Sequence, residues 1–178
     1  MILAVASCLS LAVGASAAGT TTRKATDFKD FDKTAWYAEA VSAAVDNGLL
    51  YGKSSTIIDP NGDMTRAEMA AIINRSFGCY KVADISQYKD VAKSKWYYKD
   101  VGLAVQMGTY NGRSSSSMAP DAPITREEAM TVVARALELD YDAYAKTDLS
   151  KFADEKNISS WALPYVRAMV GADYIHGR

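Results

Sequence analysis

The sequence predicts an all-α fold built from a repeated helix, loop and helix unit. The first observation is a motif, because Thr65-Arg66-Ala67-Glu68 returns as Thr125-Arg126-Glu127-Glu128. The second is a constant spacing of sixteen residues from a tryptophan to a glycine, in Trp36 to Gly52, Trp96 to Gly112 and Trp161 to Gly177. The third is apolar residues at helical spacing after each tryptophan and each Thr-Arg pair. Such units bury their apolar faces against one another.

The amino terminus has the pattern of a secretory signal. Residues 2–18 are apolar or small and uncharged, with the cleavage pattern Ala15-Ser16-Ala17. Residues 1–17 are therefore predicted to be a signal peptide, and 18–27 a polar leader. This span is too short and too rich in Ala and Ser for a membrane helix, so no membrane contact is expected after cleavage. Cleavage would leave Cys79 as the sole cysteine, which excludes an intrachain disulfide.

Three repeats are predicted, at residues 28–82, 83–146 and 147–178, each opening with an aromatic residue and an acid two positions later. A first helix follows each tryptophan and is expected to stop at Gly48 in the first repeat and at Gly108 in the second. A second, longer helix follows each Thr-Arg pair and is expected to end at Gly78 in the first repeat and to run on towards Asp140 in the second. Its predicted apolar stripe is Met69, Ile72, Ile73 and Phe77, then Met130, Val133, Ala136 and Leu137.

The third repeat is predicted to be truncated, because its Thr-Arg pair would fall after Arg178. The favoured interpretation is that the chain is a fragment of a longer protein. A helix borrowed from a partner and a degraded copy are the alternatives.

Composition and charge exclude several functions. The chain is 49% apolar with a net charge of −1, so it has no basic excess for nucleic acid. It has no glycine-rich phosphate loop, nucleophile elbow or acid pair outside the repeat pattern, so no enzyme is predicted. His176 is the single histidine, and the acids near Asp59 do not complete a calcium loop. We expect neither a metal nor a cofactor.

The repeated Thr and Glu have the spacing of a capping box, so their predicted role is structural. Arg66 and Arg126 then occupy the first helical position, where a cation opposes the helix dipole. An anion held between the guanidinium and the helix amides would explain them. An internal ion pair, for example with Asp30 or Asp90 of another repeat, is the alternative, and the two interpretations are not exclusive.

The tryptophans and glycines also allow two interpretations. Trp36, Trp96 and Trp161 suit either stacking on sugar rings or packing in the core. Gly52, Gly112 and Gly177 either give the turn a positive φ or let a ligand approach the main chain. The basic residues that follow them, Lys53, Arg113 and Arg178, would add to an anion site or simply be solvated.

From Phe28 to Arg178 the chain resembles the S-layer homology domain. The resemblance rests on an ordered set of features: an aromatic residue and an acid, a tryptophan, a helix of small residues, a glycine with a basic residue, a proline, and Thr-Arg-x-Glu. The resemblance implies a pseudo-threefold all-helical domain whose second helices form a central bundle. It also implies grooves between repeats that bind a bacterial secondary cell-wall polysaccharide, commonly pyruvylated, and so anchor exported proteins non-covalently at the cell surface. The binding residues would come from the arginines, tryptophans, glycines and acids named above. The alternatives are the anchor of a larger exported hydrolase and a surface structural protein that self-associates through the incomplete third repeat.

Overall fold

The computed structural model describes residues 23–177, which form five α-helices. These are α1 (Ala38–Asp46), α2 (Arg66–Phe77), α3 (Tyr98–Gln106), α4 (Arg126–Ala136) and α5 (Leu163–Gly171). No strand occurs within residues 23–177, and the all-α prediction is confirmed. None of these helices is long and apolar enough to cross a membrane. The predicted signal peptide at 1–17 and Arg178 lie outside the described residues.

Capping boxes begin the two helices that follow a Thr-Arg pair. The Thr65 hydroxyl accepts a hydrogen bond from the Glu68 amide at 3.2 Å, and the Glu68 carboxylate accepts one from the Thr65 amide at 2.8 Å. Thr125 and Glu128 form the same pair of bonds at 3.2 and 2.8 Å. Each cap stabilises its helix by about 1 kcal/mol. The predicted structural role of these residues is confirmed.

Left-handed backbone residues end the helices. Gly48 and Gly108, with φ angles of 67° and 71°, stop α1 and α3 as predicted, and Gly78, at 67°, caps α2. The prediction that α4 runs on towards Asp140 is wrong, because α4 ends at Ala136.

A Schellman closure causes this earlier end. Glu138 adopts a φ of 51°, and its amide bonds to the carbonyl of Arg135. The next amide, that of Leu139, bonds to the carbonyl of Ala134. The closure uses a residue other than glycine, so the usual sequence signal for a helix end is missing here.

Each second helix packs on the first helix of the following repeat. α2 packs against α3 and α4 against α5, while α2 and α4 also contact each other. In the main core, Ala67 and Ala70 of α2 belong to one cluster with Val101 and Ala104 of α3. The predicted dependence of each repeat on its neighbour is therefore confirmed, with the interface formed between repeats instead of within one.

The buried face of α2 differs from the predicted stripe. Ile73 is buried as expected, but Phe77 is 44% exposed. Arg66 and Asn74 are buried in its place, and the Asn74 amide donates a hydrogen bond to the carbonyl of Asp100 at 2.8 Å. The helix is rotated because it contacts α3 and α4 through small and polar residues that hydrophobicity alone does not indicate.

Candidate functional site

Two grooves of the same construction lie along the second helices. Groove 1 belongs to the first repeat and groove 2 to the second, with cavity volumes of about 510 and 550 Å³. Corresponding positions line both: Gly52, Lys53, Glu68, Ile72, Arg75 and Trp96 in groove 1, and Gly112, Arg113, Glu128, Val132, Arg135 and Trp161 in groove 2. Each groove lies between two repeats, because its tryptophan comes from the repeat that follows.

The core-packing interpretation of the tryptophans is wrong. Trp36, Trp96 and Trp161 are 85%, 60% and 50% exposed. The residue that follows each of them is buried instead, namely Tyr37, Tyr97 and Ala162. Each tryptophan and its neighbour lie in the turn that leads into a first helix, where the neighbour faces the core and the tryptophan faces outward. Trp96 and Trp161 line the grooves, whereas Trp36 lines neither of them.

Close packing of the turns requires the repeated glycines. Gly52 has a φ of 84°, and a Cβ on it would lie 2.5 Å from the Phe28 ring. The same pairing with the aromatic residue that opens a repeat recurs in Gly112 with Tyr88 and in Gly177 with Phe152. Gly52 and Gly177 have positive φ angles, while Gly112 is restricted by contact alone. These contacts favour the turn interpretation.

Asp30 and Asp90 hold the loops of their own repeats. Each carboxylate accepts hydrogen bonds from two successive loop amides, which belong to Ile58 and Asp59 in the first repeat and to Met118 and Ala119 in the second. The bond from the Ile58 amide lowers the pKa of Asp30. Burial raises the pKa of Asp90, but its hydrogen bonds outweigh burial and lower it overall. The alternative interpretation, an ion pair of either acid with Arg66 or Arg126, is wrong for these two acids.

Arg66 forms a buried ion pair with the second repeat. Its Nη1 lies 2.8 Å from a carboxylate oxygen of Glu128, and its side chain is 6% exposed. Its Nε donates to the carbonyl of Met118 at 2.9 Å, and its Nη2 donates to that of Asn111 at 3.2 Å. The guanidinium also lies 5.2 Å above the centre of the Tyr110 ring. Of the two interpretations of Arg66, the structure has the internal ion pair, with a partner that was not predicted.

Glu128 links three elements. It caps α4, pairs with Arg66 and accepts hydrogen bonds from Arg113 at 3.1 Å. Burial raises its pKa, but the bonds from Arg113 and Thr125 and the charge of Arg66 outweigh burial and lower it overall. Glu128 therefore stays ionised between two guanidinium groups.

The first repeat has a simpler version of this cluster. Lys53 pairs with Glu68 at 2.7 Å. The basic residue after each groove glycine is therefore tied to the capping glutamate of its own repeat, and is not simply solvated.

Arg126 has a different environment from Arg66. It is exposed, and its guanidinium has no hydrogen-bond partner within residues 23–177. It lines a separate pocket of about 580 Å³ with apolar neighbours that include Met130, Phe152 and Val166. The two arginines of the repeated motif thus occupy unlike sites.

Two further arginines line the grooves and were missed by the sequence analysis. Arg75 stacks on the Tyr51 ring at 4.2 Å, and Arg135 stacks on the Tyr165 ring at 4.7 Å. Neither guanidinium has a carboxylate partner in the described part of the chain. Each lies nine residues after the arginine of a Thr-Arg pair, so the repeat register could have identified them.

Each groove combines a half-exposed indole, a tight glycine turn and a guanidinium without a carboxylate partner. The flat face of an indole suits the apolar face of a sugar ring, while its N–H remains available to a polar group. A guanidinium binds a carboxylate through two parallel hydrogen bonds. The arrangement is suited to recognition of an anionic carbohydrate.

Comparison with known proteins agrees with this construction. The S-layer homology domain model matches residues 27–70 and 87–130. The chain is 34% identical to the surface-layer 125 kDa protein of Lysinibacillus sphaericus over 75% of its own length and 12% of that protein. It is 26% identical to an endoglucanase of Bacillus sp. (strain KSM-635), over 99% of the chain and 19% of the enzyme. It is also 28% identical to the S-layer protein sap of Bacillus anthracis, over 65% of the chain and 13% of that protein.

The chain thus spans less than a fifth of the length of these relatives. The shared part is an anchoring module, which occurs both in surface-layer proteins and in hydrolases that carry separate catalytic domains. The chain belongs to the S-layer homology family, and it is a protein of the cell surface associated with the cell wall.

Proposed function

We propose that this chain anchors its protein to the cell wall by binding an anionic secondary cell-wall polysaccharide, of the pyruvylated type, in the grooves between repeats. The observation that carries this proposal is that groove 1 and groove 2 place a half-exposed tryptophan and an arginine without a carboxylate partner at corresponding positions. A pyruvyl ketal carries a carboxylate on a sugar ring, so one unit of such a polymer offers a partner to both side chains.

The structure changes which residues are proposed to bind. Arg66 is removed from the ligand set, because Glu128 and two carbonyls already occupy its guanidinium. Arg75 and Arg135 take its place, together with Trp96 and Trp161. The glycines remain as the turns that bring the main chain to the edge of each groove.

Co-sedimentation with purified bacterial wall sacs tests this function, with sacs used before and after their secondary polymers are stripped. We expect the protein to sediment with intact sacs and to remain in solution with stripped ones. The double variant Trp96→Ala/Trp161→Ala should lose at least about tenfold in affinity, since stacking on an exposed aromatic ring contributes on the order of 1 kcal/mol or more at each site.

Tyr80→Ala is the matched control. Tyr80 is also a surface aromatic, 90% exposed, and it lines neither groove. Failure of the folded protein to bind intact sacs would overturn the proposal. An equal loss in the control and the double variant would show that the grooves are not the site.

A further inference from the structure

The two grooves share a construction but differ in charge. Groove 1 is lined by Lys53 and Arg75 and by three acids, Asp59, Asp63 and Glu68, so its formal charge is −1. Groove 2 is lined by three arginines, Arg66, Arg113 and Arg135, and by one acid, Glu128, so its formal charge is +2. The repeat register places Ala119 and Pro123 where the first repeat has Asp59 and Asp63. An anion therefore meets opposite fields in the two grooves.

Groove 2 also contains a hydroxyl that lacks a partner. Tyr110 is among its lining residues and is 3% exposed, and its buried hydroxyl has no hydrogen-bond partner in the described structure. Burial raises the pKa of Tyr110, so the hydroxyl keeps its proton and can act as a donor. Leu50 holds the corresponding position in groove 1. A buried hydroxyl without a partner is destabilising unless another group satisfies it.

We propose that groove 2 is the acidic-sugar subsite of this chain, with Arg135 and Tyr110 as its specificity-determining residues, and that groove 1 binds the acidic unit more weakly. This inference rests on the proposed function and assigns the charged unit of the polymer to one groove. Arg135 is the available cation, because its Nη2 contacts the Tyr165 hydroxyl at 3.1 Å and no carboxylate among the described residues. Arg66 and Arg113 both pair with Glu128, and together these three side chains carry a net positive charge.

The tryptophans provide one reporter for each groove. Trp96 lines groove 1, Trp161 lines groove 2 and Trp36 lines neither, so it serves as an internal reference. Protein labelled with 5-fluorotryptophan gives a separate fluorine NMR resonance for each, assigned by single Trp→Phe variants. The probe is the 4,6-pyruvate ketal of a methyl hexopyranoside, and its neutral methyl ester is the control ligand.

We expect the acid to shift the Trp161 resonance with half-saturation at least about fivefold below that of Trp96, and the ester to show no such preference. Arg135→Gln should abolish the preference, whereas Arg75→Gln should leave it in place. The double variant Asp59→Asn/Asp63→Asn should reduce the difference in half-saturation between Trp96 and Trp161, because the acid then binds better in groove 1. Asn tolerates the φ of 54° at position 59.

Equal shifts at Trp96 and Trp161, a preference for Trp96, or no shift at Trp161 would each overturn this inference. If the protein still sediments with intact wall sacs, the proposed anchoring function stands and only the assignment of the groove fails. If sedimentation fails as well, the proposed function falls independently of this assignment.

Discussion

Replacing the two arginines of the repeated motif should have very different effects on the stability of the protein, although both occupy the same position of the motif. Arg66 is 5% exposed and bonded to the second repeat, whereas Arg126 is exposed at the mouth of a separate pocket. Arg66→Ala should lower the free energy of unfolding severely. Arg126→Ala should leave it within about 0.5 kcal/mol of the parent, as surface substitutions usually do.

The magnitude for Arg66 follows from what its removal leaves behind. Glu128 loses its nearest cation, at 2.8 Å, while its side chain stays only 12% exposed. The carbonyl of Met118, a buried residue, loses its donor at 2.9 Å. Breaking a buried ion pair from one side costs about 3–5 kcal/mol. Arg113 still contacts Glu128, which favours the lower end of that range.

Urea unfolding followed by far-ultraviolet circular dichroism measures both variants against the parent. Arg66→Lys should recover only part of the loss, because an ammonium group cannot reproduce the guanidinium fork that reaches Glu128 and two carbonyls. Losses of similar size for Arg66→Ala and Arg126→Ala would refute the reasoning, as would a loss below about 1 kcal/mol for Arg66→Ala.

The remaining predictions concern acid stability, a turn and a loop. The pKa of Glu128 in the folded protein is below its ordinary value of 4.5, so the free energy of unfolding should fall as the pH drops through and below that value. In urea titrations at several pH values, Glu128→Gln should flatten this pH dependence, unlike the exposed control Glu138→Gln. Gly52→Ala should cost at least about 1 kcal/mol in the same assay, because φ is positive and the Phe28 ring lies 2.5 Å from the new Cβ. Asp90→Asn should cost about 1–2 kcal/mol and speed hydrogen exchange of the loop amides that its carboxylate binds; unchanged exchange would contradict that role.

Local rules in the sequence predicted much of the fold. The capping boxes at Thr65 and Thr125 and the glycine stops at Gly48 and Gly108 depend on neighbouring residues, and each appears as predicted. The end of α4 was mispredicted, because Glu138 adopts the left-handed conformation without the glycine that normally signals it.

Long-range partners could not be predicted from the sequence. No local pattern pairs Arg66 with Glu128, which lies 62 positions further along the chain. In the first two repeats the buried neighbour of the tryptophan was missed for a different reason. Both members of the pair, such as Trp36 and Tyr37, are large aromatics, and the choice between them depends on where the first helix begins. The groove arginines could have been identified from the sequence, since Arg75 and Arg135 recur at the same repeat position.

Comparison of the two complete repeats separates residues that stabilise the fold from residues that we propose set the ligand preference. The Thr-Arg-x-Glu motif recurs because its threonine and glutamate cap a helix, while Arg66 joins the first repeat to the second through Glu128. These groups are already saturated by the protein, so they have little hydrogen-bonding capacity left for a sugar. Recurrence of this threonine and glutamate therefore marks structural positions.

The positions at which the grooves differ are the ones that we expect to set specificity. Tyr110 of groove 2 stands where groove 1 has Leu50. Ala119 and Pro123, which do not line groove 2, stand where groove 1 has Asp59 and Asp63, and the capping boxes are the same in both repeats. Tyr110 also helps to join the two repeats, because it belongs to the main core cluster and its ring lies under the guanidinium of Arg66. One scaffold thus carries two grooves of opposite formal charge. We expect this difference in charge, more than the repeated motif, to set the preference of each groove for an acidic sugar.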